Sequence, residues 1–364
     1  MQAGPFGPLI RARVAAAGLA AAAALVLAAC GSSSTSATSS AASQSASSSA
    51  SSPTTQASTT TTTSAPVLPP AVAELPAAEH PRVSEFPSTH GRTLQQLGAL
   101  VKSSAQLGAA TGTFTPGTRR FAFGLTARSG AYIYAPTAIY IATSPSTPAQ
   151  GPFLAPDDPM GVAPQYRSRQ NSGPGGIQAI YATEVPVAHA GIYTILALTH
   201  TDRGLIGSPG EIAVAASSLI TNVGQRPPAI ATDTPATVHG DIALLTTRLP
   251  PESMHSVSFN RVLGKRPIAL LFSTPQFCIS KVCGPVTDIL VQLQHEFANR
   301  ITFIHEEVYL NNQPAKGLRP QLKAFHLETE PWLFTINRRG VIAARLEGAF
   351  GVNGATQALQ AALR

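Results

Sequence analysis

Charge is what this chain has least of. Asp, Glu, Lys and Arg make up 12% of its 364 residues, which excludes a rod held by surface ion pairs or a charge-solvated disordered protein. Positive residues exceed acidic ones, 25 to 18, but they occur as isolated pairs: Arg119-Arg120, Lys265-Arg266 and Arg338-Arg339. No nucleic-acid reader motif accompanies them, so nucleic acid is not an expected partner. Cysteine is nearly absent, with three in all and none between Gly31 and Phe277, so no disulfide staples the middle of the chain. Tryptophan occurs once. The one long apolar run, Val14 to Leu27, falls short of the roughly 20 residues that span a bilayer. What is plentiful is proline and glycine, 31 and 29 residues. They favour turns, linkers and β-structure over long helices, in a chain long enough for two folded domains.

Arg11 and Arg13 precede the apolar run, which ends in Leu27-Ala28-Ala29-Cys30 before Gly31. A positive start, a short apolar core and small residues at the end have the form of an export signal. The ending resembles the lipobox of bacterial lipoproteins. That resemblance implies acylation of Cys30, a palmitate-type anchor, and a protein held on the outer face of the cell membrane. From Ser32 to about Ser64 the chain is almost wholly Ser, Thr and Ala and buries too little apolar surface to offset ordering. Residues 31–91 are therefore expected to be a disordered Ser/Thr/Pro-rich tether.

Between 92 and 216 short strand-like pieces alternate with Gly and Pro: Arg120–Thr126, Ala138–Ala142, Gln178–Glu184, Gly191–Leu198 and Glu211–Val214. Leu94 to Leu107 has near-helical spacing and predicts a short helix. Gly191-Ile192-Tyr193-Thr194, with the strand before it, resembles the late strands of an immunoglobulin-like sandwich, which implies an all-β domain. Such domains carry a tyrosine near a strand start that bonds back across a corner. Ser144 to Pro174, with Asp157-Asp158 and Met160, reads as a long loop and a candidate binding surface. His189 and His200 read as solvated. A semi-extended linker, 217–240, follows.

From 241 to 364 the pattern changes. A buried strand, Ile268–Phe272, runs into Thr274-Pro-Gln-Phe-Cys278-Ile-Ser-Lys-Val-Cys283-Gly-Pro285. An amphipathic helix follows over Val286–Phe297, then a strand from Ile301, a short helix near Gln321–Phe325, Pro331 before the strand to Ile336, the strand Val341–Leu346 and a last helix over Gly354–Leu363. Two thiols five positions apart in an exported chain are expected to pair. This order resembles the thioredoxin family. Cys283-Gly284-Pro285 matches the start of its Cys-Gly-Pro-Cys motif, and Pro331 falls at its cis-proline. Val286 stands where the second thiol of that motif belongs, with Cys278 upstream instead, as in an uncharacterised secreted Cys-x4-Cys-Gly-Pro group. The fold expected is thus a β-sandwich followed by an α/β thioredoxin-like domain.

The resemblance implies thiol–disulfide exchange with exported thiol or disulfide proteins or with small thiols, and no cofactor. A thiol at a helix N-terminus has a lowered pKa. With the helix opening at Gly284-Pro285, Cys283 is the expected nucleophile and Cys278 its resolving partner. Lys281 adds positive charge if it turns inward, and Glu330 is a candidate proton acceptor beside Pro331. Two alternatives stay open. One is an envelope scaffold in which the Cys278–Cys283 disulfide is structural. The other is a copper-binding thioredoxin-fold protein using Cys278, Cys283 and a histidine, His305 or His326. Trp332 is expected to pack behind the proline.

Overall fold

Phe121-Ala122-Phe123 and Ala179-Ile180-Tyr181 are apolar in both parities, a pattern that fits a strand buried on both faces rather than one with a wet side. The computed structural model, which describes residues 75–364, is mostly sheet with few helices and bears this out. One sheet has the order β2-β3-β7-β6 and a second the order β1-β9-β8-β4-β5. The strands are β1 Ser103–Ser104, β2 Gln106–Ala109, β3 Gly117–Thr126, β4 Thr137–Ala142, β5 Gln150–Leu154, β6 Asp157–Pro159, β7 Ala179–Val187, β8 Gly191–Thr201 and β9 Gly204–Val214. Phe121, Phe123, Tyr181, Val185, Ile139, Ile141 and Ile195 fill the space between the sheets. The rings of Phe121, Phe123 and Tyr181 stack at 5.1 and 5.2 Å.

The second half is a four-stranded sheet of order β11-β10-β12-β13, from β10 Ile268–Phe272, β11 Thr302–Glu306, β12 Trp332–Ile336 and β13 Ile342–Glu347. β10 and β11 are parallel, and the other pairs antiparallel. Besides one turn at Phe259–Val262, the helices are α1 Cys283–Glu296, α2 Pro320–Ala324 and α3 Val352–Leu363. Alternation along β10 decides the layering. Ala269 and Leu271 meet α1 and α3, while Ile268, Leu270 and Phe272 meet Leu322, Phe325 and Phe259 on the other face. This β-α-β then β-β-α order is the thioredoxin-like arrangement expected from the sequence. Trp332 is buried, stacked on Phe334 at 5.8 Å with its indole N–H donated to Thr329 Oγ1.

Several expectations need correcting. The helix over Leu94–Leu107 is one turn, Leu94–Gly98, closed by reciprocal Thr93 and Gln96 bonds; β1 and β2 take the rest by pairing with β9 and β3. The tether does not extend to Gly91, because Ala78 and Phe86 are buried and Pro87 O accepts from Tyr140 Oη. Ser144–Pro174 holds β5 and β6, with Asp157, Asp158 and Met160 buried. The linker has no regular element over 217–240 yet runs along the second half: Gly224 N donates to Ile342 O, Ile342 N to Gln225 O, and Thr232 N to Ser258 Oγ. His189 and His200 are exposed. Cys30 and the export signal lie outside the described residues. Among those described, no helix is long and apolar enough to cross a membrane.

Candidate active site

β10 delivers the chain to Ser273 and Thr274, both fully buried. A turn follows in which Cys278 N donates to Thr274 O and Lys281 N to Cys278 O, with Lys281 in the left-handed region at φ 58°. α1 opens at Cys283, after Val282. The two sulfurs and a Glu330 carboxylate oxygen lie within 4.8 Å of one another, beside the cis Glu330–Pro331 peptide. All four site residues expected from the sequence, Cys278, Cys283, Glu330 and Pro331, thus converge. The cysteines are free thiols in this structure rather than a disulfide. Cys283 has no exposure and Cys278 has 8%.

The two thiols are shifted in the opposite sense to that expected. Cys278 lies in the loop, but its Sγ faces the mouth of α1. The Cys283 thiol donates to it, and the Ser280 hydroxyl, 3.2 Å away, and the backbone N–H groups of Cys283 and Val282 add to that against the cost of burial. Together they bring Cys278 down to about 6. Cys283 starts the helix but turns inward; burial, then its bond to Cys278, hold it well above the ordinary thiol value. The helix-end field therefore acts on the loop thiol, not on the helix thiol. Lys281 is exposed rather than turned inward. Burial, then the Cys278 charge, lift Glu330 to about 7.

A buried polar chain runs inward from Cys283. Its carbonyl accepts from Thr287 Oγ1 at 2.7 Å, Thr287 meets Ser273 Oγ at 2.8 Å, and Ser273 meets His305 Nε2 at 2.9 Å. His305 Nδ1 and His255 Nε2 both share Glu252 Oε1 at 2.6 Å. Burial opposes the Glu252 charge, yet the His305 imidazolium and the two ring bonds hold the carboxyl well below its usual range. His305 is therefore not a ligand beside the sulfurs, and His326 is exposed just past α2. The three-donor cluster at the thiols has Glu330 in the place given to a histidine.

Reasoning from the sequence missed that the sandwich seals this site. From Cys283 through Leu290 every residue of α1 is buried, which a helix on one sheet cannot achieve alone. Asp288 accepts from Arg248 Nε (2.9 Å), Ser168 N (2.9 Å), Ser168 Oγ (3.1 Å) and Asn171 Nδ2 (3.1 Å). Gly284 is pressed on the same loop: a Cβ there would stand 2.7 Å from the Gln170 carbonyl. Ala122, Ile180, Met160 and Val162 of the sandwich join the core formed by α1 and α3. Asp158 accepts the N–H groups of Gly351, Asn353 and Gly354, capping α3, and Glu347 accepts those of Gly112 and Thr113. A cleft of about 520 Å³ remains between the halves, with Ser280, Val282 and Glu330 on one wall and Tyr132, Tyr134 and Ile177 on the other. One signal for this interface was available, the two-sided apolar pattern of β3 and β7.

No family model matches the chain, and no curated protein matches it. Among solved structures, a match is a crystal structure assigned as a thiol:disulfide interchange protein DsbE from Chlorobium tepidum. It is 16% identical, covers 39% of this chain and 99% of that one, and gives a TM-score of 0.28. At that score the likeness adds nothing to the strand order, on which the thioredoxin-like reading of the second half stands.

Proposed function

We propose that this chain is a thioredoxin-like thiol–disulfide exchange protein in which Cys278 attacks and Cys283 resolves. The observation that carries the reading is the Cys278 sulfur, brought to about 6 at the mouth of α1 beside the cis Glu330–Pro331 peptide. The Cys278 thiolate attacks one sulfur of a substrate disulfide. That bond breaks, the second sulfur leaves as a thiolate, and a mixed disulfide forms. Cys283 then loses its proton to the Glu330 carboxylate and attacks Cys278 Sγ. The substrate leaves as a thiol, and a Cys278–Cys283 disulfide carries the two-electron oxidation. The same steps reversed oxidise a dithiol. The cleft beside Ser280 and Glu330 is the substrate's path, its far wall supplied by the sandwich.

The strand order of the two sheets and the bond from His189 N to Tyr193 Oη at 3.1 Å support an immunoglobulin-like reading of the sandwich. A lipid anchor at Cys30 on the outer membrane face, with exported thiol proteins or small thiols as partners, belongs to the same proposal and rests on the sequence. A second reading has one observation in its favour: two thiols and a carboxylate within 4.8 Å of one another suit a soft ion such as Cu(I). Mixed-disulfide trapping decides between them. Cys283→Ser protein reacted with a disulfide-bonded substrate is expected to accumulate a Cys278 adduct. No adduct, together with one Cu(I) bound per reduced chain, favours the metal.

A further inference from the structure

Five arginines that look scattered along the sequence, Arg266, Arg300, Arg338, Arg339 and Arg364, meet at the end of the second half opposite the thiols. β10 begins there, after Arg266. β12 and β13 turn there through Arg338-Arg339, α1 runs out there before Arg300, and α3 ends there at Arg364. These five guanidiniums and Asn299 and Asn337 surround one concavity of about 670 Å³ with no acidic side chain on its lining. None of the five is in an ion pair among the described residues, where arginine pairing involves Arg82, Arg248 and Arg319.

The site is held in shape. Arg266 donates to Asn299 O at 3.0 Å, and the Arg300 guanidinium lies 4.6 Å from the centre of the Phe297 ring. The hairpin turn is fixed by Asn337 Oδ1, which accepts from Arg339 N and Val341 N, with Gly340 at φ 76°. Five like charges converging on one hollow repel one another unless an anion joins them, and guanidinium forks match phosphate oxygens. The carbonyl ends of α1 and α3 favour cations nearby: Arg300 donates to Glu296 O at 3.4 Å, and all five arginines remain exposed to solvent. Pro267, Ala362 and Leu363 are the apolar part of the lining, and the guanidinium and amide groups make up the rest.

We propose that this arginine-lined hollow is a binding site for a small ligand carrying closely spaced phosphate groups. Two sources share that chemistry, a phospholipid headgroup and a soluble oligophosphate. The full chain is titrated calorimetrically with inorganic tripolyphosphate and floated with phosphatidylglycerol or phosphatidylcholine vesicles. Saturable one-to-one binding of tripolyphosphate supports a soluble ligand. Flotation with phosphatidylglycerol alone, without tripolyphosphate binding, supports a headgroup. In either case the Arg338→Glu/Arg339→Glu protein is expected to bind at least roughly tenfold more weakly, with an unchanged circular dichroism spectrum, while Arg203→Glu on the far β8–β9 turn binds normally. The proposal is overturned if neither probe binds, if the double charge reversal binds as tightly as the parent, or if a single-stranded oligonucleotide binds more tightly than both probes.

Discussion

The two ends of the thioredoxin-like sheet carry opposite designs. At one end α1 and α3 present their N-termini, and each meets a negative group: the Cys278 thiolate at α1 and the Asp158 carboxylate at α3. At the other end both helices run out among arginines. The dipoles of two helices thus sort anions to one end and cations to the other. Burial separates the ends further. The thiol end is roofed by a second domain and its Glu330 carboxyl is pushed up, whereas the arginine end is open to solvent. The proposed reactivity goes with enclosure, and the proposed recognition of diffusing charge goes with exposure.

The contrast is broken most directly at the thiols. Cys278→Ser is expected to abolish disulfide exchange, while Cys283→Ser keeps the first attack and stalls as a mixed disulfide; mass spectrometry of quenched reactions reads both, and the reverse pattern would return the nucleophile to Cys283. The roof comes next. Asp288→Ala leaves the buried Arg248 guanidinium unpaired, for a loss of about 3–5 kcal/mol in urea unfolding, and Cys283, now silent, becomes open to alkylation before global unfolding. If the stability drop comes without any gain in Cys283 labelling, the loop is not what seals the sulfur.

Smaller effects sharpen the electrostatics. Iodoacetamide modification of Cys278 should rise with pH around a midpoint of about 6, against about 8.5 for an ordinary thiol. Cys283→Ala, which removes the donated S–H bond, moves that midpoint upward; an unmoved midpoint would assign the effect to the helix end alone. The sign for stability follows from the lowered pKa of Cys278. Its contribution in the reduced protein is complete above the ordinary thiol pKa and is lost as pH falls through about 6. Glu330 has the opposite sign. Raised to about 7, it favours the folded state at acid pH, and that contribution is lost as pH rises through about 7. Oxidation removes the Cys278 charge that helps raise it, so the carboxyl pKa followed by NMR should drop when the disulfide forms.

Local pattern was enough to place β3, β4, β8, β10, β12, α1 and α3 within a few residues, because each buries a face with a regular period. The resemblance to the thioredoxin order also brought Cys278, Cys283, Glu330 and Pro331 together, since it places them at the ends of adjacent strands. Which sulfur is activated was not legible. That depends on whether a side chain turns toward or away from the N–H groups of Val282 and Cys283, and five residues of spacing do not fix it. Nor was the roof. Asp158, Asp288 and Gln170 look like solvated loop or helix residues in isolation, and their partners lie 40 to 196 positions away. The arginine hollow was hidden for the same reason, assembled from strand ends that only the sheet brings side by side.

Gly348 shows how far the two halves depend on each other. It adopts φ 68° immediately after β13, and a Cβ built on it collides with the Ala110 carbonyl of the sandwich. With α3 capped by a carboxylate from β6 and α1 covered by the 163–171 loop, the second half is not a portable cassette. Excised at 241, it would carry raw apolar surface and a frayed terminal helix, so the two halves travel as one inheritance.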